Sequence, residues 1–189
     1  MSKRFTPKRF TTQMYLYFQP FPDSSEERSA GEELVHEEVQ IPSSDGGLEI
    51  LEARFLPACE WLKRSRSRQV ILFPPQFLLL YLVSRFLDQL PREDASMEEM
   101  KRRRLELLGF VHSGSPPWTQ KCIPVRTIKV LPDKRQVLAL DNSGLEMQEF
   151  DKRGEMEMVI LVRFEKEGPR DVEVRWKKDI IGNDTKASL

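Results

Sequence analysis

Two histidines, two cysteines and several paired carboxylates are the side chains of this 189-residue chain whose types could do chemistry. A nucleophilic triad needs a hydroxyl or thiol beside an imidazole that a third group orients. His36 lies in an acidic stretch and His112 in a loop stretch, and no G-x-S-x-G elbow occurs. Cys122 follows Lys121, whose charge lowers a thiol's pKa slightly, yet a lone cysteine beside a strand reads as packing. Neither a G-x-x-x-x-G-K-[ST] loop nor a G-x-G-x-x-G turn is present to cradle phosphate. The pairs Glu32-Glu33, Glu37-Glu38 and Glu98-Glu99 stand in polar segments and read as solvated faces. The basic run Lys63-Arg64-Ser65-Arg66-Ser67-Arg68 reads as a flexible, solvated loop, with phosphate contact as the alternative.

Thirty Lys+Arg balance thirty Asp+Glu, for a formal net charge of zero. That balance argues against wrapping nucleic acid or coating an anionic membrane, although Lys63–Arg68 and Lys101–Arg104 are locally basic. Two cysteines, Cys59 and Cys122, are too few for a disulfide framework and fit free thiols in a reducing compartment. Two histidines leave little for a Cys/His zinc site. The N-terminal MSKRFTPKRF has no apolar region behind it. The longest apolar stretch, Val70 to Val83, is about 14 residues and contains Pro74 and Pro75. A bilayer requires roughly 20, so this stretch reads as a core helix and not a membrane span. The expected location is intracellular, cytoplasmic in the first instance, with peroxisome or mitochondrion as alternatives. The C-terminal Ala187-Ser188-Leu189 is near a peroxisomal tripeptide but has serine where a basic residue belongs.

The elements follow from pattern. Arg9 to Phe18 is rich in β-branched and aromatic residues and closed by Pro20 and Pro22, which predicts a strand covered on both sides. Leu34–Ile41 and Leu48–Phe55 are further expected strands, separated by the turn Ser43-Ser44-Asp45-Gly46-Gly47. Pro57 sits just inside a short helix over Ala58–Arg64. Pro74-Pro75 opens a helix over Gln76–Leu90, whose first half, with no polar face, should be buried all round. Ser96 caps a polar helix that ends at Leu108 with Gly109 as its C-cap. Beyond the linker Ser115-Pro116-Pro117-Trp118 come four strands, Val125–Leu131, Gln136–Leu140, Met156–Phe164 and Val172–Trp176. They form either hairpins added to the first sheet or a small subdomain.

The order of these pieces resembles the coenzyme A and acyl-coenzyme A diphosphatase branch of the Nudix hydrolases. Thr6-Pro7-Lys8-Arg9-Phe10-Thr11-Thr12-Gln13-Met14-Tyr15-Leu16-Tyr17-Phe18 resembles that branch's TP…RRFDT-aromatic strand. About 35 residues on, Leu51-Glu52-Ala53-Arg54-Phe55-Leu56-Pro57-Ala58-Cys59-Glu60 is similar to its strand-to-helix corner, E-x-x-W-x-x-P-x-E-A. Ile71-Leu72-Phe73-Pro74-Pro75-Gln76-Phe77 resembles its hydrophobic-PPPQF segment, and the strand-rich tail has a counterpart there. The three matches fall in order over residues 4–90.

The resemblance implies a mixed α/β (α+β) fold, a partial Nudix-like α/β/α sandwich with a β-rich C-terminal extension. It implies the C-terminal part of a hydrolase domain over 4–112, a linker at 113–118, the extension at 119–178 and a flexible tail at 179–189. The implied activity of a complete relative is metal-dependent cleavage of a pyrophosphate such as coenzyme A or an acyl-CoA. Arg9 and Phe10 would then lie near the substrate, Glu52 on the metal side of the cleft, and Phe73, Pro74, Pro75 and Gln76 along the acyl or pantetheine wall. In that family Mg²⁺ or Mn²⁺ is held by glutamates on the helix of the box G-x5-E-x7-R-E-U-x-E-E-x-G-U, where U is aliphatic. This chain lacks the box. Gly31 reaches Glu37 at the right spacing, but Asp45-Gly46 stand where Arg-Glu should be; from Gly46 and Glu52, Glu60-Trp61 stand there instead. No metal ligand is therefore assigned. The family places its box before the R-F-T strand, at which this chain begins, so the expectation is an inactive C-terminal portion. The alternative is a non-enzymatic protein-interaction module, with a protein partner covering an exposed sheet edge, or a truncated remnant.

Overall fold

The computed structural model describes residues 13–18, 54–88, 96–141 and 154–182. The fold is mixed α and β. Among the described residues three helices, α1 (Ala58–Arg66), α2 (Pro74–Leu87) and α3 (Met97–Val111), precede a four-stranded sheet, and a short helix, α4 (Lys177–Ile181), follows it. The strands β1 (Arg126–Val130), β2 (Gln136–Leu140), β3 (Glu155–Glu165) and β4 (Gly168–Trp176) form an antiparallel meander in chain order.

From Val137 onward β2, like the middle of β3, is apolar at every position because both faces of the sheet are covered. On one face Leu138, Leu140, Met158, Ile160 and Val162 pack with Leu62, Phe77, Leu78 and Leu82 of α1 and α2. On the other, Val137, Val159 and Leu161 are sealed with Ile128, Leu131 and Ile180. Trp118, at the end of the expected linker, stacks at 5.5 Å on Phe110, which stacks at 5.1 Å on Phe86. The helices α1 to α3 thus share a core with one face of the sheet.

Local chemistry sets the helix starts. At α2 Phe73 is the N-cap, Pro74 and Pro75 follow where no intrahelical N–H is needed, and Gln76 Oε1 accepts the Phe73 N–H at 3.0 Å. Phe77, Leu78 and Leu82 are buried, whereas Leu79, Leu80, Tyr81 and Val83 are half-buried, so the expected burial all round holds only for part of that turn. Ser96 caps α3, its hydroxyl accepting the Glu99 N–H at 3.2 Å. Pro57, the N-cap of α1, has no side-chain acceptor; Asp88, beyond the end of α2, supplies one by accepting the Cys59 N–H at 2.6 Å.

Four expectations are corrected. Gln13–Phe18 is irregular, with Met14, Tyr15, Leu16 and Tyr17 exposed, because no described strand lies alongside to take its backbone hydrogen bonds. The rest of the 9–18 strand and the strands 34–41 and 48–55, apart from Arg54 and Phe55, lie outside the described residues; those two are irregular. Gly109 is interior to α3, which runs on through Phe110 and Val111 to a cap at His112; the apolar stripe outweighs the glycine. Lys63–Arg66 belong to α1 and are not a loop, since the buried Leu62 and Ser65 keep the helix winding.

Close approach fixes one glycine. A Cβ on Gly154 would stand 1.8 Å from the Leu140 carbonyl oxygen, where β3 joins β2. Next to it Lys121 donates to the buried Glu155 carboxylate, and its ammonium sits 4.1 Å from the Trp118 ring. The other Glu155 oxygen accepts the Glu157 N–H at 2.9 Å, so this buried charge is fully partnered.

Candidate functional site

Of the residues the resemblance implicates, Arg9, Phe10 and Glu52 lie outside the described residues. Phe73, Pro74, Pro75 and Gln76 form the first turn of α2: Phe73 is exposed, Pro74 buried, Pro75 half-buried, and Gln76 is engaged in capping. A cation-binding helix needs carboxylates free to face an ion. On α3 Glu99 and Glu106 face arginines instead, and the exposed Glu98 pairs with Lys101 at 3.5 Å. Glu99 takes Arg102 through two hydrogen bonds at 2.9 and 2.7 Å, and Arg103 at 2.7 Å. Glu106 takes a further nitrogen of Arg102 at 2.6 Å. The Arg102 and Arg103 hydrogen bonds hold the Glu99 carboxyl down at about 2, from an ordinary 4.5. Arg103 itself is buried on α3.

The basic run is matched in the same way. Lys63 and Arg64 reach Glu60 at 3.9 and 3.2 Å, and Arg66 lies 5.7 Å from the centre of the Phe77 ring. Arg68 bridges out of the α1 turn to Glu165 at 3.7 Å and Asp171 at 3.4 Å. From Asp171 the chain of charges continues. Arg163 pairs with it at 3.3 Å and donates to the Asp133 carbonyl at 3.1 Å, while Arg135 joins Asp133 at 2.7 Å to Glu173 at 3.1 Å. Each such exposed link is weak, but together they tie the β1–β2 turn, β4 and α1 across one surface. Asp141 pairs with Lys177; burial pushes its carboxyl up, and the Lys177 hydrogen bond and charge outweigh this to hold it low.

Burial, reinforced by the Asp88 carboxylate, pushes the Cys59 thiol up, the reverse of what a nucleophile requires. His112 serves as the C-cap residue of α3, and His36 lies outside the described residues. Among the described residues no three His, Cys, Asp or Glu side chains converge to hold a metal ion. No described helix is long and apolar enough to cross a membrane.

The described surface also presents apolar side chains. Met14, Tyr15, Leu16 and Tyr17 are 61, 85, 45 and 67 % exposed, and the next residue, Phe18, sits beneath the Arg104 guanidinium of α3 at 5.3 Å. Leu105 and Leu108 of α3 are exposed as well. An open groove of about 630 Å³ runs between β3 and α4, lined by Met156, Trp176, Ile181, Glu157 and Lys178 among others. Sequence reasoning passed over Asp88 and Asp171. Neither has a local signal, since their partners lie 29 and 103 residues away. No family model, curated protein or solved structure matches this chain.

Proposed function

We propose that this chain is a protein-interaction module of Nudix-like descent that does not hydrolyse pyrophosphates on its own. The observation that carries the reading is the row Met14-Tyr15-Leu16-Tyr17, four consecutive large side chains left in water next to Phe18, which lies under the Arg104 guanidinium of α3. Covering one such side chain is worth about 1.5–3 kcal/mol, so a partner that takes up the row gains substantially. The pairing of Glu99 and Glu106 with Arg102 and Arg103 supports the same reading, since carboxylates held by arginines are not free to face a metal ion.

The Nudix descent remains part of the proposal and rests on the ordered motifs. In a complete hydrolase of that frame Arg9, Phe10 and Glu52 would border a coenzyme A-like pyrophosphate, Phe73–Gln76 would form a wall, and Mg²⁺ or Mn²⁺ would polarise the phosphates. No step of that chemistry is assigned to this chain. Replacing Tyr17 with a photo-crosslinking residue and irradiating native cells is expected to give one discrete protein adduct, lost when Tyr15 and Leu16 are changed to serine. A chain recovered only uncrosslinked would contradict the interaction reading.

A further inference from the structure

The run Lys63–Arg68 contains two serines, Ser65 and Ser67, and each has basic residues on its N-terminal side. Sequence cannot choose between them, but burial does. Ser65 is 9 % exposed, inside the last turn of α1, whereas Ser67 is the exposed C-cap residue and its hydroxyl donates to the Arg64 carbonyl at 3.2 Å. Arg66, Arg68 and Gln69 around it are exposed too. Lys63, Arg64 and Arg66 stand four, three and one positions before Ser67. The ion pairs of Lys63 and Arg64 with Glu60 are local and part-exposed, and therefore easily given up to an acidic groove.

We propose that Ser67 is a phosphorylation site for an ATP-dependent serine kinase that selects lysine and arginine before the acceptor, and that the phosphate releases Arg68 from Asp171 and Glu165. In the transfer, Ser67 Oγ forms a bond to the γ-phosphorus of ATP as the bond to the β–γ bridging oxygen breaks. The hydroxyl proton passes to the kinase's base, and ADP leaves. The product carries a dianion at the C-terminal end of α1, where the helix dipole opposes negative charge. It also lies on the residue next to Arg68, whose guanidinium it can take as a charge-assisted partner. Both effects loosen the link between the α1 turn and the β3–β4 hairpin.

Incubating the folded full-length chain with ATP and a serine kinase of basic-residue specificity tests the site. The expected result is phosphate on Ser67 and not on Ser65, lost in Ser67→Ala and retained in Ser65→Ala. Phosphate on Ser65, only on other residues, or nowhere overturns the assignment. Hydrogen exchange tests the consequence: amides of residues 165–171 should exchange about two- to fivefold faster in the phosphorylated chain, as in unphosphorylated Arg68→Ala. Faster exchange in Arg68→Ala with none on phosphorylation overturns the release, as does unchanged exchange in both.

Discussion

Arg68 and Asp171 meet at 3.4 Å although 103 residues separate them, and both have left-handed backbones, with φ of 63° and 52°. Each conformation serves the contact. Arg68 leaves the end of α1 by turning back toward the sheet. Asp171 occupies a bulge of β4, where it and Val172 together oppose the single residue Val162. Aspartate tolerates this region better than a branched residue. Asp171→Asn, which keeps that tolerance and loses the charge, should cost only ~0.2–1 kcal/mol in urea unfolding. Asp171→Val should cost a further ~1–3 kcal/mol from backbone strain. Equal costs would mean the left-handed geometry is not maintained.

Two substitutions should stabilise the chain. Gly109 lies inside α3 with nothing within 4 Å of where a Cβ would stand, so Gly109→Ala should add about 0.5–1 kcal/mol. Lys134 has φ 67° at the end of the Leu131–Lys134 turn, whose closing hydrogen bond is 2.9 Å. A glycine there removes the strain, and Lys134→Gly should gain several tenths of a kcal/mol. Thermal denaturation of each variant checks both signs.

Asp88 holds the start of α1 and acts on Cys59 through one contact. Asp88→Ala should cost about 1 kcal/mol, as the loss of an N-cap does. Asp88→Asn, which removes the charge while leaving an acceptor, should lower the thiol's pKa and speed Cys59 alkylation at neutral pH, by up to about tenfold per pKa unit. Cys122 provides the internal reference. An alkylation rate unchanged in Asp88→Asn would show that the Asp88 charge does not act on the thiol.

Acid should leave the α3 cluster intact well below the ordinary carboxylate range. Because Glu99 is held at about 2 in the folded chain, against 4.5 ordinarily, its stabilising contribution is present in full above 4.5 and fades as pH falls toward 2. A side-chain NMR titration should place its midpoint near 2, and Arg102→Gln should move it upward. A midpoint near 4.5 in the intact chain would mean the arginine hydrogen bonds are not formed in solution.

The parts legible in the sequence are those fixed by near neighbours. The expected strand Gln136–Leu140, apolar from Val137 and set between two turns, is β2 residue for residue, and the double proline and Ser96 mark the starts of α2 and α3 within a residue or two. What escaped depends on distant partners. Tyr15 and Tyr17 have strand-forming side chains, but strand formation needs a neighbour, and none of the described strands provides one. Gly109 reads as a stop signal until Phe110 is seen stacking between Phe86 and Trp118, which keeps the helix going. The basic run 63–68 looks solvated because Glu165 and Asp171, the acids that match Arg68, are supplied by the far end of the chain. The candidate site was legible only as motifs. Phe73–Gln76 begins α2 as its prolines require, while Arg9, Phe10 and Glu52 fall outside the described residues.

The most direct test of the central claim is turnover by the purified chain of coenzyme A and a medium-chain acyl-CoA in the presence of Mg²⁺ or Mn²⁺, read by chromatography of the nucleotide product. A non-catalytic binding module predicts product no faster than a blank without protein. Metal-dependent product formation that scales with the amount of chain would contradict it and make this chain a diphosphatase in its own right.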